Sequence, residues 1–236
     1  MNKHPLVSIC IPTYGMKGRG VEYLDHSMQK IARQTFKDFN VIISDHSEDS
    51  AIEDYCKLWN GKLEICYVRN ESNRGNSSAN VNNCFKHANG KIIKVLFQDD
   101  FFADDSSLLT QVTHFIGNTN HWMAAACCHS KDGINLHSPF YPLYHDQIQY
   151  GQNTISSPSV LMFKNSNVIQ FDENLIWLMD VDYCKRLYDA FGLPSICNYI
   201  TVVNRQHEDQ ISNTLATEEL KKKELEYVIE KYKKNK

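Results

Sequence analysis

The sequence predicts an α/β protein with a mostly parallel central sheet flanked by helices. Through residues 1–100, short apolar runs of strand length alternate with segments of helical periodicity about every 20 to 30 residues, the pattern of βαβ units. Three of these runs end in polar residues, at Tyr14, Asp45 and Asp99. Ligands of open α/β sheets bind just beyond the carboxyl ends of the strands. A site is therefore expected at this edge of the sheet.

The elements of the first half follow in order. The periodicity predicts strands at 7–12, 41–45, 63–68 and 92–97, and helices at about 24–31, 52–59 and 77–88. Ser77 or Ser78 is expected to cap the third helix, because a serine oxygen accepts hydrogen bonds from the free amides of a first turn. Asn89-Gly90 is expected to end that helix.

The second half is less regular. Helices are predicted at 106–116 and 180–191, strands at 122–128, 160–163 and 199–203, and a charged helix from 217 onward. Residues 131–158 hold many Tyr, His, Pro, Gly and Asn residues, which is the composition of a loop. With neither an internal repeat nor a low-complexity linker, residues 1–236 are interpreted as a single domain.

Composition limits the classes of function. A net charge of -3 argues against a nucleic-acid partner. The 8 cysteines contain no CxxC pair, and the start of the chain has no signal-peptide pattern, so free thiols and a cytoplasmic location are expected. The sequence also lacks an apolar run of transmembrane length.

The strongest chemical signal is Gln98-Asp99-Asp100, where the fourth apolar strand ends in two adjacent carboxylates. Oxygen ligands of this kind attract a hard divalent cation, although two aspartates in a solvated loop are the alternative at this point. Neither a P-loop nor a GxGxxG motif is present. If the first half of the chain binds a nucleotide, it does so without a glycine-rich loop. A cation held by Asp100 would then hold the diphosphate of that nucleotide.

Taken together, the motifs resemble those of family 2 glycosyltransferases, which have the GT-A fold. The resemblance runs from about residue 5 to 213 and rests on the order and spacing of these stretches: 7–14, 34–39, 41–47, 73–75, 79–80, 90–94, 98–100, 179–182 with 186–187, 205–207 and 210–212. It implies a GT-A-like nucleotide-binding sandwich. The nucleotide-sugar-binding half would cover about 1–100, the acceptor half about 101–213, and a charged C-terminal helix 214–236.

The resemblance implies a nucleotide pocket formed by residues of the first half. Pro12 and Tyr14 would line the pocket for the base, and Asp45 would accept a hydrogen bond from it. Gly75 would let the backbone approach the donor closely, and Asn80 would face the nucleotide. For Tyr14, Asp45 and Asn80, an ordinary structural role is the alternative.

The family's metal motif is usually DxD, and here its first position is Gln98. The resemblance implies that Asp100 coordinates Mn²⁺ or Mg²⁺, while Asp99 binds the ribose, or the metal through water. It also implies that His207 is a further metal ligand or a diphosphate contact, and that Arg205 contacts the diphosphate. For His207, plain exposure in a loop is the alternative.

Asp180 corresponds to the family's catalytic base, in a motif that often reads Glu-Asp; here Met179 replaces the glutamate. A carboxylate at a helix N-terminus has its pKa lowered by the helix dipole and is expected to stay ionised. Capping of the helix is the alternative role. Asp182 is expected either to cap the helix or to form a salt bridge with Arg186, four residues further on.

The resemblance thus implies a metal-dependent, inverting glycosyltransferase of polysaccharide biosynthesis. The donor would be a nucleotide-diphosphate sugar, UDP-linked, and the acceptor a hydroxyl of a glycan or lipid-linked saccharide. A sugar nucleotidyltransferase and a non-catalytic nucleotide-sugar-binding protein are the two alternatives. From Lys221 onward, seven lysines accompany three glutamates. This helix is interpreted as solvated, or alternatively as a peripheral contact with the inner face of a membrane.

Overall fold

The computed structural model describes residues 4–208, 210 and 216–233. The strands are Val7–Thr13 (β1), Phe39–Asp45 (β2), Ile65–Arg69 (β3), Ile92–Val95 (β4), Phe101–Phe102 (β5), Trp122–Ser130 (β6), His137–Phe140 (β7), Leu161–Lys164 (β8) and Ser195–Arg205 (β9). The α-helices are Gly20–Arg33 (α1), Ala51–Lys57 (α2), Ser77–His87 (α3), Ser107–Ile116 (α4), Met179–Phe191 (α5) and Glu218–Lys233 (α6).

All of these strands belong to one sheet. Its order is β3-β2-β1-β4-β8-β6-β9-β5, and β7 pairs with β6 beside this path. The ladders that join β3, β2, β1 and β4 are parallel, as is the long ladder between β6 and β9, whereas β8, β5 and β7 pair antiparallel. The α/β fold with a mostly parallel sheet, as predicted from the sequence, is confirmed.

The centre of the sheet is buried on both faces. Every residue of β1 and β2 is buried, which explains why these strands are nearly continuous apolar runs. One core layer includes Val81 and Phe85 of α3 with Tyr183 of α5. The other includes Met28 of α1 and Phe115 of α4. Helices on both faces leave the carboxyl ends of β1, β2 and β4 free to form a site.

Three local predictions differ from the structure. Asn76, not Ser77 or Ser78, caps α3, because its extended backbone lets Oδ1 accept the Ala79 N–H at 2.9 Å. β7 lies within the predicted loop 131–158, and β9 begins earlier than residue 199. Both strands are defined by pairing with β6, which local periodicity does not reveal: β7 forms a hairpin with it, and β9 pairs with it from a distant part of the chain.

The C-terminal helix α6 differs from its interpretation as a solvated helix. Its residues Glu224, Val228 and Tyr232 are buried. Lys231 Nζ forms ion pairs with Asp172 at 2.6 Å and with Asp182 at 2.8 Å. α6 is therefore docked against α5 and the segment before it, and Lys231 is committed to internal ion pairs. Of the other lysines in this stretch, Lys234 and Lys236 lie outside the described residues.

Candidate active site

A cavity of about 1120 Å³ opens at the carboxyl ends of β1, β2 and β4. The expected site residues that line it are Pro12, Tyr14, Gly75, Asn80, Gln98, Asp99, Asp100 and Asp180. Three expected residues, Asp45, Arg205 and His207, are not part of its lining. Most of the residues that the sequence singles out are thus brought to one cavity, although they come from distant parts of the chain.

One end of the cavity is formed by the exits of β1 and β2. Tyr14 is 41% exposed and offers an aromatic surface beside Pro12. Gly75 has φ +83°, a conformation that favours glycine. His46, which the sequence analysis missed, also lines this end, and its Nε2 lies 3.2 Å from Ser72 O. Its position directly after the apolar strand β2 was the only signal for it.

Asp45 is fully buried below this end of the cavity. Its Oδ1 accepts a hydrogen bond from Ser47 N–H at 2.9 Å, and its Oδ2 accepts one from the Tyr67 hydroxyl at 2.8 Å. Arg69 lies 3.5 Å from the same Oδ2. The carboxylate is therefore satisfied by the protein and supports the segment that carries His46.

Asn80 is also largely committed to internal contacts. Its Nδ2 donates to Thr13 O at 2.9 Å, and its Oδ1 accepts from the Ser44 hydroxyl at 2.7 Å. Because Thr13 and Ser44 lie near the ends of β1 and β2, Asn80 ties α3 to both strands. It borders the cavity while holding these three elements together.

Gln98 acts as a clamp on the loop that follows β1. Its Oε1 accepts the Tyr14 N–H at 2.9 Å, and its Nε2 donates to Tyr14 O at 3.1 Å and to Gly20 O at 2.6 Å. A Cβ at Gly20 would lie 2.4 Å from Tyr14 O, so only glycine fits there. A carboxylate cannot donate these bonds, which explains why glutamine stands where the family motif has an acid.

The adjacent acids differ in their surroundings. Asp100 is 4% exposed; its Oδ1 accepts the Arg205 N–H at 3.0 Å and its Oδ2 accepts from the Ser157 hydroxyl at 3.2 Å. Burial first, and then the charge of Asp99, raise the pKa of Asp100 above its usual range. Asp99 Oδ2 lies 2.9 Å from His207 Nε2. His207 therefore contacts Asp99 without lining the cavity.

Arg205 also contacts Asp99 without lining the cavity. Its Nε donates to Asp99 O at 3.3 Å, and its guanidinium carbon is 5.2 Å from the centre of the Tyr23 ring and 5.3 Å from that of Phe101. The guanidinium thus packs between two aromatic rings. This arrangement supports the turn that carries the acids, and the side chain does not line the cavity.

A buried lysine accompanies the acid pair. Lys94 of β4 is fully buried, and its Nζ donates to Ser159 O. Burial lowers the pKa of Lys94 to about 7, and the attraction of Asp100 opposes this effect. Ser159 Oγ in turn accepts the Phe97 N–H at 2.8 Å, so the lysine and the strand end share one partner.

The acid pair fits a divalent cation that is shared with a ligand. Asp99 and Asp100 are the oxygen donors that Mg²⁺ and Mn²⁺ prefer, and both line the cavity. Within residues 4–208, 210 and 216–233, three or more His, Cys, Asp or Glu side chains do not come together as a metal-binding group. Mg²⁺ is commonly held by one or two carboxylates, substrate phosphates and water. Two carboxylates therefore suffice for a cation that arrives with a phosphorylated ligand.

Asp180 lies in the first turn of α5 and lines the same cavity. Its Oδ1 accepts the Val181 N–H at 2.8 Å, and its Oδ2 accepts from Asn153 Nδ2 at 2.8 Å. Burial raises the pKa of Asp180 to about 6, against the lowering expected from the helix dipole. A carboxyl group with this pKa is suited to accept a proton near neutral pH.

The wall between Asp100 and Asp180 is polar, and the sequence analysis missed it. The Ser157 hydroxyl donates to Asn204 Oδ1 at 3.0 Å, and Asn204 Nδ2 donates to the Ser156 hydroxyl at 2.8 Å. Ser156 has φ +88°, an uncommon conformation for a residue with a side chain. This wall offers hydroxyl and amide groups to a polar ligand. The Asn and Ser residues in the loop were its only sequence signal.

Asp182 pairs with Arg186 at 2.8 Å, which confirms the predicted interaction across one turn of α5. All 8 cysteines are free thiols, as expected. Among the described residues, none of the helices has both the length and the apolar character needed to cross a bilayer.

Comparison with known proteins finds sugar transferases among both the curated relatives and the solved structures. Abequosyltransferase RfbV of Salmonella typhimurium is 34% identical over 110 residues, which cover 45% of this chain and 32% of that protein. The structure of S. aureus TarS 1-349 in complex with UDP-GlcNAc aligns with a TM-score of 0.68 and 17% identity, covering 88% of this chain and 60% of that one. Mannosyltransferase PcManGT from Pyrobaculum calidifontis, in complex with GDP-Man and Mn²⁺, gives 0.61 and 17%, covering 86% and 57%.

These solved structures establish the GT-A fold. The chain spans about a third of the length of the curated relatives with 34–35% identity. The family model described as glycosyl transferase family 2 matches residues 8–184, well over half of the sequence. The chain therefore belongs to glycosyl transferase family 2.

Proposed function

We propose that this enzyme is a metal-dependent, inverting glycosyltransferase that moves a sugar from a UDP-linked donor to a hydroxyl group of a glycan or a lipid-linked saccharide. One observation carries the proposal: a single cavity contains the acid pair Asp99–Asp100 and a separate carboxylate, Asp180, which Asn153 orients. The acid pair suits a cation with a diphosphate. The separate carboxylate suits a general base.

The donor nucleoside would bind at the end formed by Pro12, Tyr14, His46 and Gly75. A UDP-linked donor is favoured because S. aureus TarS, which shares the fold, binds UDP-GlcNAc. PcManGT binds GDP-Man, so guanosine donors belong in the same test. Asp45 would act on this end through Ser47 and the strand exit, and Asn80 would hold the ends of β1 and β2 beside it.

Asp99 and Asp100 would hold the cation, with His207 and Arg205 supporting Asp99 from behind. When bound, Mn²⁺ or Mg²⁺ would offset the negative charge that develops on the leaving diphosphate. Gln98 contributes by fixing the loop that carries Tyr14, and its amide is fully engaged there.

Asp180 would take the proton from the acceptor hydroxyl. The acceptor oxygen then forms a bond to the anomeric carbon while the bond from that carbon to the diphosphate breaks. Inversion follows when the acceptor attacks the face opposite the leaving group. A pKa of about 6 leaves most of the Asp180 carboxyl ionised at pH 7 and still able to accept a proton.

A direct test is to incubate the purified protein with a panel of nucleotide sugars and candidate saccharide acceptors, with Mn²⁺ or with a chelator. We expect release of UDP together with a glycosylated acceptor, in Mn²⁺ only. Release of pyrophosphate would instead indicate a sugar nucleotidyltransferase. Donor binding without any turnover across the panel would indicate a non-catalytic binding protein.

A further inference from the structure

Helix α5, which carries Asp180, has no side-chain cap of its own at its N-terminus. The carboxylate of Glu224, from the C-terminal helix α6, replaces it. Glu224 Oε1 accepts the Ile176 N–H at 2.8 Å, and Oε2 accepts those of Trp177 at 3.0 Å and Leu178 at 2.8 Å. Three consecutive amides that lead into α5 thus converge on one side chain.

This contact is electrostatically favourable and demands a carboxylate. Glu224 is 3% exposed, and a buried carboxylate is tolerated only when hydrogen bonds satisfy its oxygens. Its negative charge also lies at the positive end of α5. A glutamine at this position has only one acceptor atom, and its amide group would face an N–H that also donates.

The segment that Glu224 holds is part of the cavity wall. Ile176 and Trp177 line the cavity, and so do Met179 and Asp180, which follow directly. Gly151 leaves the space that the Trp177 ring occupies, since a Cβ there would lie 3.3 Å from it. The backbone of 176–178 therefore sets where the Trp177 ring and the Asp180 carboxylate stand.

Glu224 itself is held on a rigid support. Val228 and Tyr232, further along the same face of α6, are buried in the core. The Tyr232 hydroxyl donates to Asp182 Oδ1 at 2.9 Å, and Lys231 bridges Asp172 and Asp182. Because α6 is fixed to α5 at these later positions, it can hold the start of α5 in place.

We propose that Glu224 is a positioning residue of the transferase, which holds the backbone of residues 176–178 so that Trp177 and Asp180 are correctly placed for the acceptor. The C-terminal helix is then part of the construction of the active site. The inference rests on the proposed function. The donor end of the cavity is built from the exits of β1, β2 and β4, so donor binding should not depend on Glu224.

The pH dependence of turnover gives a readout that a merely structural role would not change. Besides Glu224, the titratable or charged groups around Asp180 are Asp182 and Cys184 on α5 and Lys221 of α6, whose Nζ is 5.8 Å from the centre of the Trp177 ring. After burial, the charge of Glu224 contributes to the raised pKa of Asp180. Removing that charge lowers this pKa, so the acid limb of the kcat profile should move to lower pH.

The test compares Glu224→Gln with Glu226→Gln, a control at an exposed position of the same helix. For Glu224→Gln we expect kcat to fall roughly 10- to 100-fold, as for a small misplacement of reacting groups, with donor affinity unchanged. Hydrogen exchange of the amides of residues 176–178 should become faster, and the acid limb should move to lower pH. The control should match the wild type in all of these measurements.

A native kcat together with native amide exchange in Glu224→Gln would overturn the inference. An equal loss of kcat in the Glu226→Gln control would also overturn it. If Glu224→Gln does not fold, Glu224→Asp carries the test, because it keeps the charge but shortens the reach. A folded Glu224→Asp variant with fast amide exchange and native kcat would also overturn it. A wild-type protein that transfers no sugar would contradict the proposed function. Hydrogen exchange of the amides of residues 176–178, compared between Glu224→Gln and the control, would then still test whether Glu224 holds this backbone.

Discussion

Asn153 Nδ2 donates a hydrogen bond of 2.8 Å to Asp180 Oδ2 and so joins the long loop before β8 to the first turn of α5. The rest of the Asn153 amide is engaged within its own loop: Oδ1 accepts the N–H groups of Ile155 at 3.1 Å and Ser156 at 2.9 Å. The orientation of the amide is thereby fixed, with its nitrogen toward the carboxylate. Asp180 is held from both sides, by Asn153 and by its own helix.

Replacing Asn153 by aspartate should make Asp180 harder to ionise. Asn153→Asp keeps an acceptor for the loop amides but puts a second negative charge beside Asp180, which raises the pKa of Asp180 above about 6. The acid limb of the kcat profile should therefore move to higher pH, and kcat at pH 7 should fall about 10-fold or more. pH–rate profiles measure this, with the exposed Asn60→Asp as the control. An acid limb that does not move would show that Asn153 does not act on the base.

Gln98→Glu should destabilise the loop between β1 and α1. The new side chain cannot donate to Tyr14 O or Gly20 O, and its charge is buried against both carbonyls. We expect a loss of about 1–3 kcal/mol in the free energy of unfolding. Thermal melts would show it as a lower Tm, with weaker nucleotide binding because Tyr14 shifts. The exposed Gln147→Glu is the control, and a native Tm for Gln98→Glu would contradict the role of a clamp.

Asp100→Asn should remove the cation dependence of donor binding. Asparagine keeps an acceptor for the Arg205 N–H, so the fold is preserved, but it lacks the charge that holds a divalent cation. By calorimetry, Mn²⁺ should strengthen UDP binding to the wild type and to the exposed control Asp38→Asn, but not to Asp100→Asn. Equal UDP affinity in Mn²⁺ and in a chelator for all three proteins would refute a metal-assisted donor site.

Asp45→Asn should weaken the binding of different nucleotides alike, because it disturbs the nucleotide end of the cavity as a whole. The substitution removes the charge opposite Arg69 and weakens the support of Ser47, so Tm should fall. Because Asp45 does not line the cavity, uridine and guanosine nucleotides should lose affinity to a similar degree. Binding titrations with both nucleotides measure this. A loss confined to uridine nucleotides would mean instead that Asp45 contacts the base directly.

The framework of the site was predictable because it depends on local patterns. The apolar runs of β1 and β2 identify buried parallel strands, and their shared carboxyl edge gathers Tyr14 and Gln98–Asp100. The spacing of Asp182 and Arg186 predicts their ion pair, since residues four apart on a helix are neighbours. In these cases, a continuous apolar run of strand length or a spacing of about 3.6 residues per turn determines the geometry.

The contacts that hold Asp180 were not predictable in this way. Asn153 reaches Asp180 across 27 positions from a loop without periodicity. Glu224 reaches Ile176 across 48 positions, and in the sequence it is one glutamate among many charges of a helix. The pKa of Asp180 was also misjudged, because burial, a tertiary effect, outweighs the helix dipole.

The central claim, that Asp180 is the general base, is tested most directly by steady-state turnover of Asp180→Asn at pH 7 together with donor binding by calorimetry. Asparagine has the same size and can still accept the Val181 N–H, but it cannot take up a proton. We predict that kcat falls roughly 10²- to 10⁴-fold while the affinities for donor and Mn²⁺ stay nearly constant. Sugar transfer at close to the native rate by the folded Asp180→Asn variant would contradict the account.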